Sequence, residues 1–252
     1  MRIPLVRKGK MLFIAPPGAS PLTNEKLRTS MGEHITLSAE DGVTIGAYVA
    51  KPAGAPRGGI VVIQEIFGVN HHIRAVADSY AALGYLAVAP ALYDRVQPNY
   101  DSGYEQADMQ AGVATRGKTD AGKVMLDVTA AVAEAAKAGK VGVVGYCWGG
   151  TLAFASAVNL PGVAAASGYY GAGVAAMCDK VPVAPTILHF GETDHSIPIA
   201  DVEKIKAARP ETPVYVYAAG HGFNCDERGS YNKECADVAR QRTHDFFAKH
   251  VG

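Results

Sequence analysis

What constrains this chain most is a recurring alternation. Short, largely apolar runs of strand length are separated by longer stretches with helical periodicity. Gly59 to Gln64, Tyr85 to Ala89, Lys140 to Tyr146, Val163 to Tyr170, Thr186 to Gly191 and Val214 to Ala218 read as strands. Several are apolar at every position, as a strand buried on both faces requires. Between them, His72 to Leu83, the Ala-rich Lys123 to Ala138, Gly150 to Val158 and Ile199 to Ala208 read as helices, and Tyr231 to His250 is a final one. His34 to Leu37 and Val43 to Ala50 alternate enough to form an opening hairpin about Asp41-Gly42. Residues 94–118 are polar and carry no clear period. The pattern specifies an α/β fold: a mostly parallel central sheet with helices on both faces. In such sheets ligands sit at the carboxyl ends of the strands, where candidate functional residues are to be sought.

The bulk properties exclude several classes. Lys and Arg number 24 against 24 Asp and Glu, so no whole-molecule field draws nucleic acid or an anionic membrane. No apolar run reaches the roughly 18 residues a membrane span needs. Residues 1–30 read as an N-terminal extension without a catalytic role. Their apolar run Met11 to Ala15 is broken by Pro16 and Pro17, unlike a secretion signal. Residues 31–252 read as one domain. Cys147, Cys178, Cys225 and Cys235 form no C-x-x-C pair and no spacing typical of a zinc site, which points to a reduced, cytoplasmic chain with no metal and no cofactor.

The chemistry is concentrated after the strand "KVGVVGY". Gly145-Tyr146-Cys147-Trp148-Gly149 then leads into the helix "GTLAFASAV". This is a G-x-nucleophile-x-G elbow in the strand–turn–helix setting it needs. The flanking glycines let the backbone turn sharply enough to push the nucleophile out, and the helix N-terminus favours a thiolate. Taken alone, the pentapeptide also fits a buried Cys in a tight turn. Further along, "TILHFGETDHSIP" puts Asp194 just past a strand, and "PVYVYAAGHGF" puts His221 just past another. Nucleophile, acid and base thus follow in the order found in α/β-hydrolases. Glu192 and Asp201 are rival acids; His189 and His195 are rival bases.

With these residues in view, the chain resembles the dienelactone hydrolase (carboxymethylenebutenolidase) family of α/β-hydrolases. The resemblance spans about Met31 to Gly252 and is carried by "VVIQEIFGVN", "APALYDR", "GYCWGG", "GETDHSIP" and "AGHGF". It implies Cys147 as nucleophile, His221 as base and Asp194 as orienting acid. It also implies that Glu65 contacts the resting thiol and is displaced by substrate. The oxyanion hole is expected to be the backbone N–H groups of Ile66 and Trp148.

The family's substrate carries a carboxylate held by arginine. Arg95, in "LYDR", matches one such position. The second arginine is expected a few residues past the histidine, where this chain has Cys225; Arg228 lies three residues later and substitutes only if the loop differs. Tyr93, Phe223, Tyr146, Trp148 and Phe67 are candidates to line an apolar pocket. The expectation is therefore a monomer or weak homodimer that hydrolyses a small, anionic lactone or ester through an acyl-thioester. A broad carboxylesterase or thioesterase with the same residues is the alternative, and a redox-sensing scaffold is the non-enzyme reading.

Overall fold

The computed structural model describes residues 32–252; the extension read at residues 1–30 lies outside them. Eight strands form one sheet: β1 Glu33–Ser38, β2 Thr44–Ala50, β3 Gly59–Ile63, β4 Leu86–Pro90, β5 Val141–Tyr146, β6 Val163–Tyr169, β7 Thr186–Gly191 and β8 Val214–Tyr217. Their order is β1-β2-β4-β3-β5-β6-β7-β8. The β1–β2 and β2–β4 pairs are antiparallel, and every pair from β4 through β3 to β8 is parallel. The central strands β3, β5 and β7 are buried at every residue, which is why β3 and β5 carry no charged side chain and β7 is polar only at Thr186 and His189.

Six α-helices cover the sheet: α1 His71–Ala82, α2 Gln106–Arg116, α3 Ala121–Ala135, α4 Trp148–Asn159, α5 Ile199–Ala208 and α6 Lys233–His250. One apolar cluster joins the sheet to α1 and α6 through Ile73, Tyr80, Ala239 and Phe247. A second joins it to α3 through Val124, Val128 and Ala131. This is the α/β-hydrolase architecture expected. The hairpin, the parallel core and five of the six helices fall where the periodicity puts them.

The exception is α2, inside the segment with no assigned structure. A capping box, Glu105 with Asp108, starts it. Its buried positions are Gly112 and Thr115, while Met109 and Val113 face solvent. A helix that buries its smallest side chains and exposes its apolar ones leaves no amphipathic signature. Among the described residues no helix is long and apolar enough to cross a membrane.

Candidate active site

The loops after β3, β5, β7 and β8 bring Glu65, Cys147, Asp194 and His221 to one edge of the sheet. Cys147 joins β5 to α4 at φ 54° and ψ −115°, a strained conformation for a residue with a side chain. The neighbouring glycines make it feasible. A Cβ on Gly145 would stand 1.9 Å from the Gly149 carbonyl oxygen, and one on Gly149 would stand 2.4 Å from that of Ile63. The Cys147 thiol is left half-buried at the N-terminus of α4.

Asp194 is buried, and both carboxylate oxygens are used. Oδ1 accepts the Ser196 N–H at 2.8 Å and Oδ2 lies 2.7 Å from His221 Nδ1. The first bond orients the carboxylate and the second orients the ring. Burial works to lower the His221 pKa, but the Asp194 hydrogen bond and the Cys147 side chain outweigh it and raise it to about 10. The ring is thus held between the Asp194 carboxylate and the Cys147 sulfur. The rivals are placed elsewhere. His189 is wholly buried between Tyr217 and Thr243, and burial, reinforced by Arg242, lowers its pKa to about 3. Glu192 and His195 are exposed, and Asp201 lies in the first turn of α5.

Glu65 is 1% exposed. Its Oε1 accepts a hydrogen bond from Arg228 Nη1 at 3.0 Å, while Oε2 has no partner among the described residues. The contact with the Cys147 thiol that the resemblance implied is replaced here by this ion pair. A guanidinium donor is far stronger than a thiol donor, so Arg228 takes the carboxylate. The guanidinium also lies over the rings of Phe67 and Tyr104, 5.5 and 5.9 Å from their centroids. Burial works against its charge, but Glu65, Tyr170 and Cys147 outweigh burial and raise its pKa. Arg228 reaches this place because the loop after His221 coils: Cys225 N–H bonds to Gly222, Arg228 N–H to Cys225 and Tyr231 N–H to Arg228. A Cβ on Gly222, which has φ 76°, would stand 2.5 Å from Arg228 Nη1.

Arg95 requires a correction. Its Nε and Nη2 donate to the two oxygens of Asp127 at 2.8 Å each, and Nη1 and Nη2 donate to those of Asp41 at 2.7 and 2.9 Å. With both edges of the guanidinium occupied, no fork remains for a substrate. It ties α3 to the β1–β2 turn and borders a separate cavity with Leu92, Lys118 and Val124.

Tyr93 and Phe223 are corrected too. Tyr93 is 1% exposed, donates its hydroxyl to the Gly112 carbonyl and stacks under Trp148 at 5.3 Å. Phe223 is 0% exposed and packs on Tyr170 and Tyr217. Each is core packing, Tyr93 in the cluster that includes Trp148 and Phe223 in the cluster that includes Tyr170 and Tyr217. The Ile66 and Trp148 N–H groups donate to none of the described residues; Trp148, first in its helix, has no intrahelical acceptor.

Two residues escaped the sequence reading. Tyr170, at φ 38° past β6, lies with its ring 5.1 Å from that of His221 and its buried hydroxyl unpartnered among the described residues. Its position at a strand's carboxyl end was the available signal. Tyr104, whose hydroxyl accepts from Asn70, sits in the unassigned segment. Folding also gathers His72, Cys225 and Asp226, whose ligand atoms lie within 4.8 Å of one another, a grouping that spacing along the chain did not suggest.

The chain is similar to known proteins over most of its length. The model of the dienelactone hydrolase family matches residues 45–251. The carboxymethylenebutenolidase of Pseudomonas putida is 37% identical over 239 residues, covering 86% of this chain and 96% of that protein. A Synechocystis protein provisionally named a carboxymethylenebutenolidase is 38% identical over 224 residues, 81% of this chain and 91% of its own. The crystal structure of a candidate dienelactone hydrolase from Klebsiella pneumoniae superposes with a TM-score of 0.76 at 30% identity, covering 86% of this chain and 99% of that one.

Proposed function

Because the chain belongs to the dienelactone hydrolase family and is a carboxylic ester hydrolase of that kind, we propose that it opens a lactone or small ester bearing a carboxylate, with Cys147, His221 and Asp194 as its catalytic residues. The observation that carries this reading is the Asp194–His221 hydrogen bond at 2.7 Å beside the thiol at the strained elbow. With its proton resident on His221, the Cys147 sulfur attacks the carbonyl carbon. The Ile66 and Trp148 N–H groups receive the oxyanion. The acyl C–O bond breaks, His221 protonates the leaving oxygen, and an acyl-thioester remains. His221 then takes a proton from water as it attacks the thioester, and the carboxylic acid and the Cys147 sulfur are released.

Arg228 is the residue best suited to receive the substrate carboxylate, since its guanidinium, on the loop that also carries His221, pairs with Glu65 just past β3. To bind it, the substrate competes with Glu65, whose unpartnered Oε2 makes it ready to exchange. That competition also favours a second reading: Cys225 stands where the family expects an arginine, so a neutral ester or thioester loses less here than in relatives with two arginines.

Mass spectrometry of the protein mixed rapidly with substrate tests the central claim. An acyl adduct on Cys147, formed and lost at the turnover rate and absent from a folded Cys147→Ala variant with no activity, is expected. Undiminished turnover by Cys147→Ala would sink the assignment.

A further inference from the structure

We infer that His72, Cys225 and Asp226 form a binding site for a zinc ion, distinct from the residues that carry out hydrolysis. His72 stands in the first turn of α1 and Cys225 and Asp226 in the coiled loop after β8, so the three meet only through the fold. Their ligand atoms lie within 4.8 Å of one another, and His72 Nδ1 is already 3.0 Å from Asp226 Oδ1. An imidazole, a thiol and a carboxylate are the donor types zinc takes, and three protein ligands leave one position for water.

Two features separate this group from ordinary packing. His72 is 5% exposed, and the only hydrogen-bond partner its buried ring has among the described residues is the Asp226 carboxylate within the cluster itself. Cys225 is fully buried while the Asp226 side chain is 64% exposed, so the cluster runs from the interior to solvent and an ion has a way in. Binding forms an S–Zn bond and releases the Cys225 thiol proton to solvent, without redox change.

The same loop carries Arg228. An ion bridging it to α1 would clamp the loop and hold Arg228 against Glu65. Zinc is thus a ligand of the loop that carries Arg228 and supplies no group to the reacting atoms.

The test uses the full chain carrying Cys147→Ser, which removes the competing thiol. Cobalt(II) is titrated as a spectroscopic probe and then displaced by zinc. One ion per chain, a thiolate-to-cobalt charge-transfer band bleached by zinc, and loss of that band in Cys225→Ser are expected. Asp226→Asn, an exposed change that spares the fold, should weaken zinc binding by more than about tenfold. A band that appears with Cys147 present and vanishes in Cys147→Ser would overturn the proposal, placing the metal on the elbow thiol. So would zinc affinity unchanged by both Cys225→Ser and Asp226→Asn. Turnover by the otherwise unaltered enzyme in EDTA should be undiminished; loss of activity restored by zinc would contradict a site separate from hydrolysis.

Discussion

At the scale of single residues, the site depends on which carboxylate faces which ring. Asp194 spends one oxygen on its own loop and the other on His221, so replacing it with asparagine keeps the loop bond and turns the ring interaction around. Asp194→Asn should lower kcat by about 10⁴-fold, the loss typical when a triad acid is neutralised. Glu192→Gln, at an exposed position, should stay within about twofold of the unaltered enzyme, a surface change away from any special feature. The reverse ranking in steady-state assays would mean the wrong acid has been named. Arg228 and Arg95 make a second contrast. Arg228→Lys retains a charge for Glu65 but loses the planar fork, and should cost about 10- to 100-fold in kcat/KM on an anionic lactone, with a much smaller loss on a neutral ester. Arg95→Ala should reduce both substrates' kcat/KM equally and slightly, because its guanidinium is committed to Asp41 and Asp127.

At the scale of elements, those Arg95 bonds become a matter of stability. They tie α3 to the turn between β1 and β2 through Asp127, whose side chain is wholly buried. Removing the arginine strands that carboxylate, and breaking such a pair costs about 3 kcal/mol, visible as a lower midpoint in urea unfolding. The helix α2 offers a sharper test. Gly→Ala within a helix ordinarily stabilises by about 1 kcal/mol. At Gly112, though, the added Cβ would meet the Ile66 carbonyl oxygen at 2.4 Å, and neither partner is a flexible side chain. Gly112→Ala should therefore push the Ile66 peptide out of place and cut kcat more than tenfold, of the order of losing one oxyanion donor. Unchanged turnover in that variant, with intact helix content by circular dichroism, would argue that the Ile66 N–H has no such role.

At the scale of the whole molecule, two histidines contribute to the pH dependence of stability in opposite senses. His189 folds neutral, with its pKa lowered to about 3 from the ordinary 6.5. The unfolded chain thus takes up a proton that the folded one refuses. Stability from this group is complete above pH 6.5 and falls as pH drops toward 3, by up to about 1.4 kcal/mol per pH unit. His221 is the reverse. With its pKa raised to about 10, its contribution is complete below pH 6.5 and is lost as pH rises through 10. Thermal unfolding followed across pH should show His189→Gln flattening the acid limb and His221→Gln flattening the alkaline one. An acid limb of unchanged slope in His189→Gln would assign the loss to carboxylates instead.

Periodicity and local turn chemistry were enough to specify the hairpin, the buried parallel strands and the order Cys147, Asp194, His221. Each of those signals is written in a few neighbouring residues: a run apolar at every position, two glycines flanking a nucleophile, a polar residue just past a strand. Resemblance added Glu65 and the expectation of arginine. The tertiary structure decided the rest, because the remaining assignments depend on competition among groups far apart in the chain. Whether Arg95 met a substrate or Asp127 turned on how α3 docks, 32 residues away. Whether Arg228 could stand in for the missing arginine turned on the coil of its loop, and whether Tyr93 and Phe223 line a pocket turned on what lies in front of them. Helix α2 stayed hidden because it buries glycine and threonine, and His72 met Cys225 only when α1 and the last loop packed together. A charged or aromatic side chain has many partners compatible with its local sequence, and only packing determines which of them it can reach.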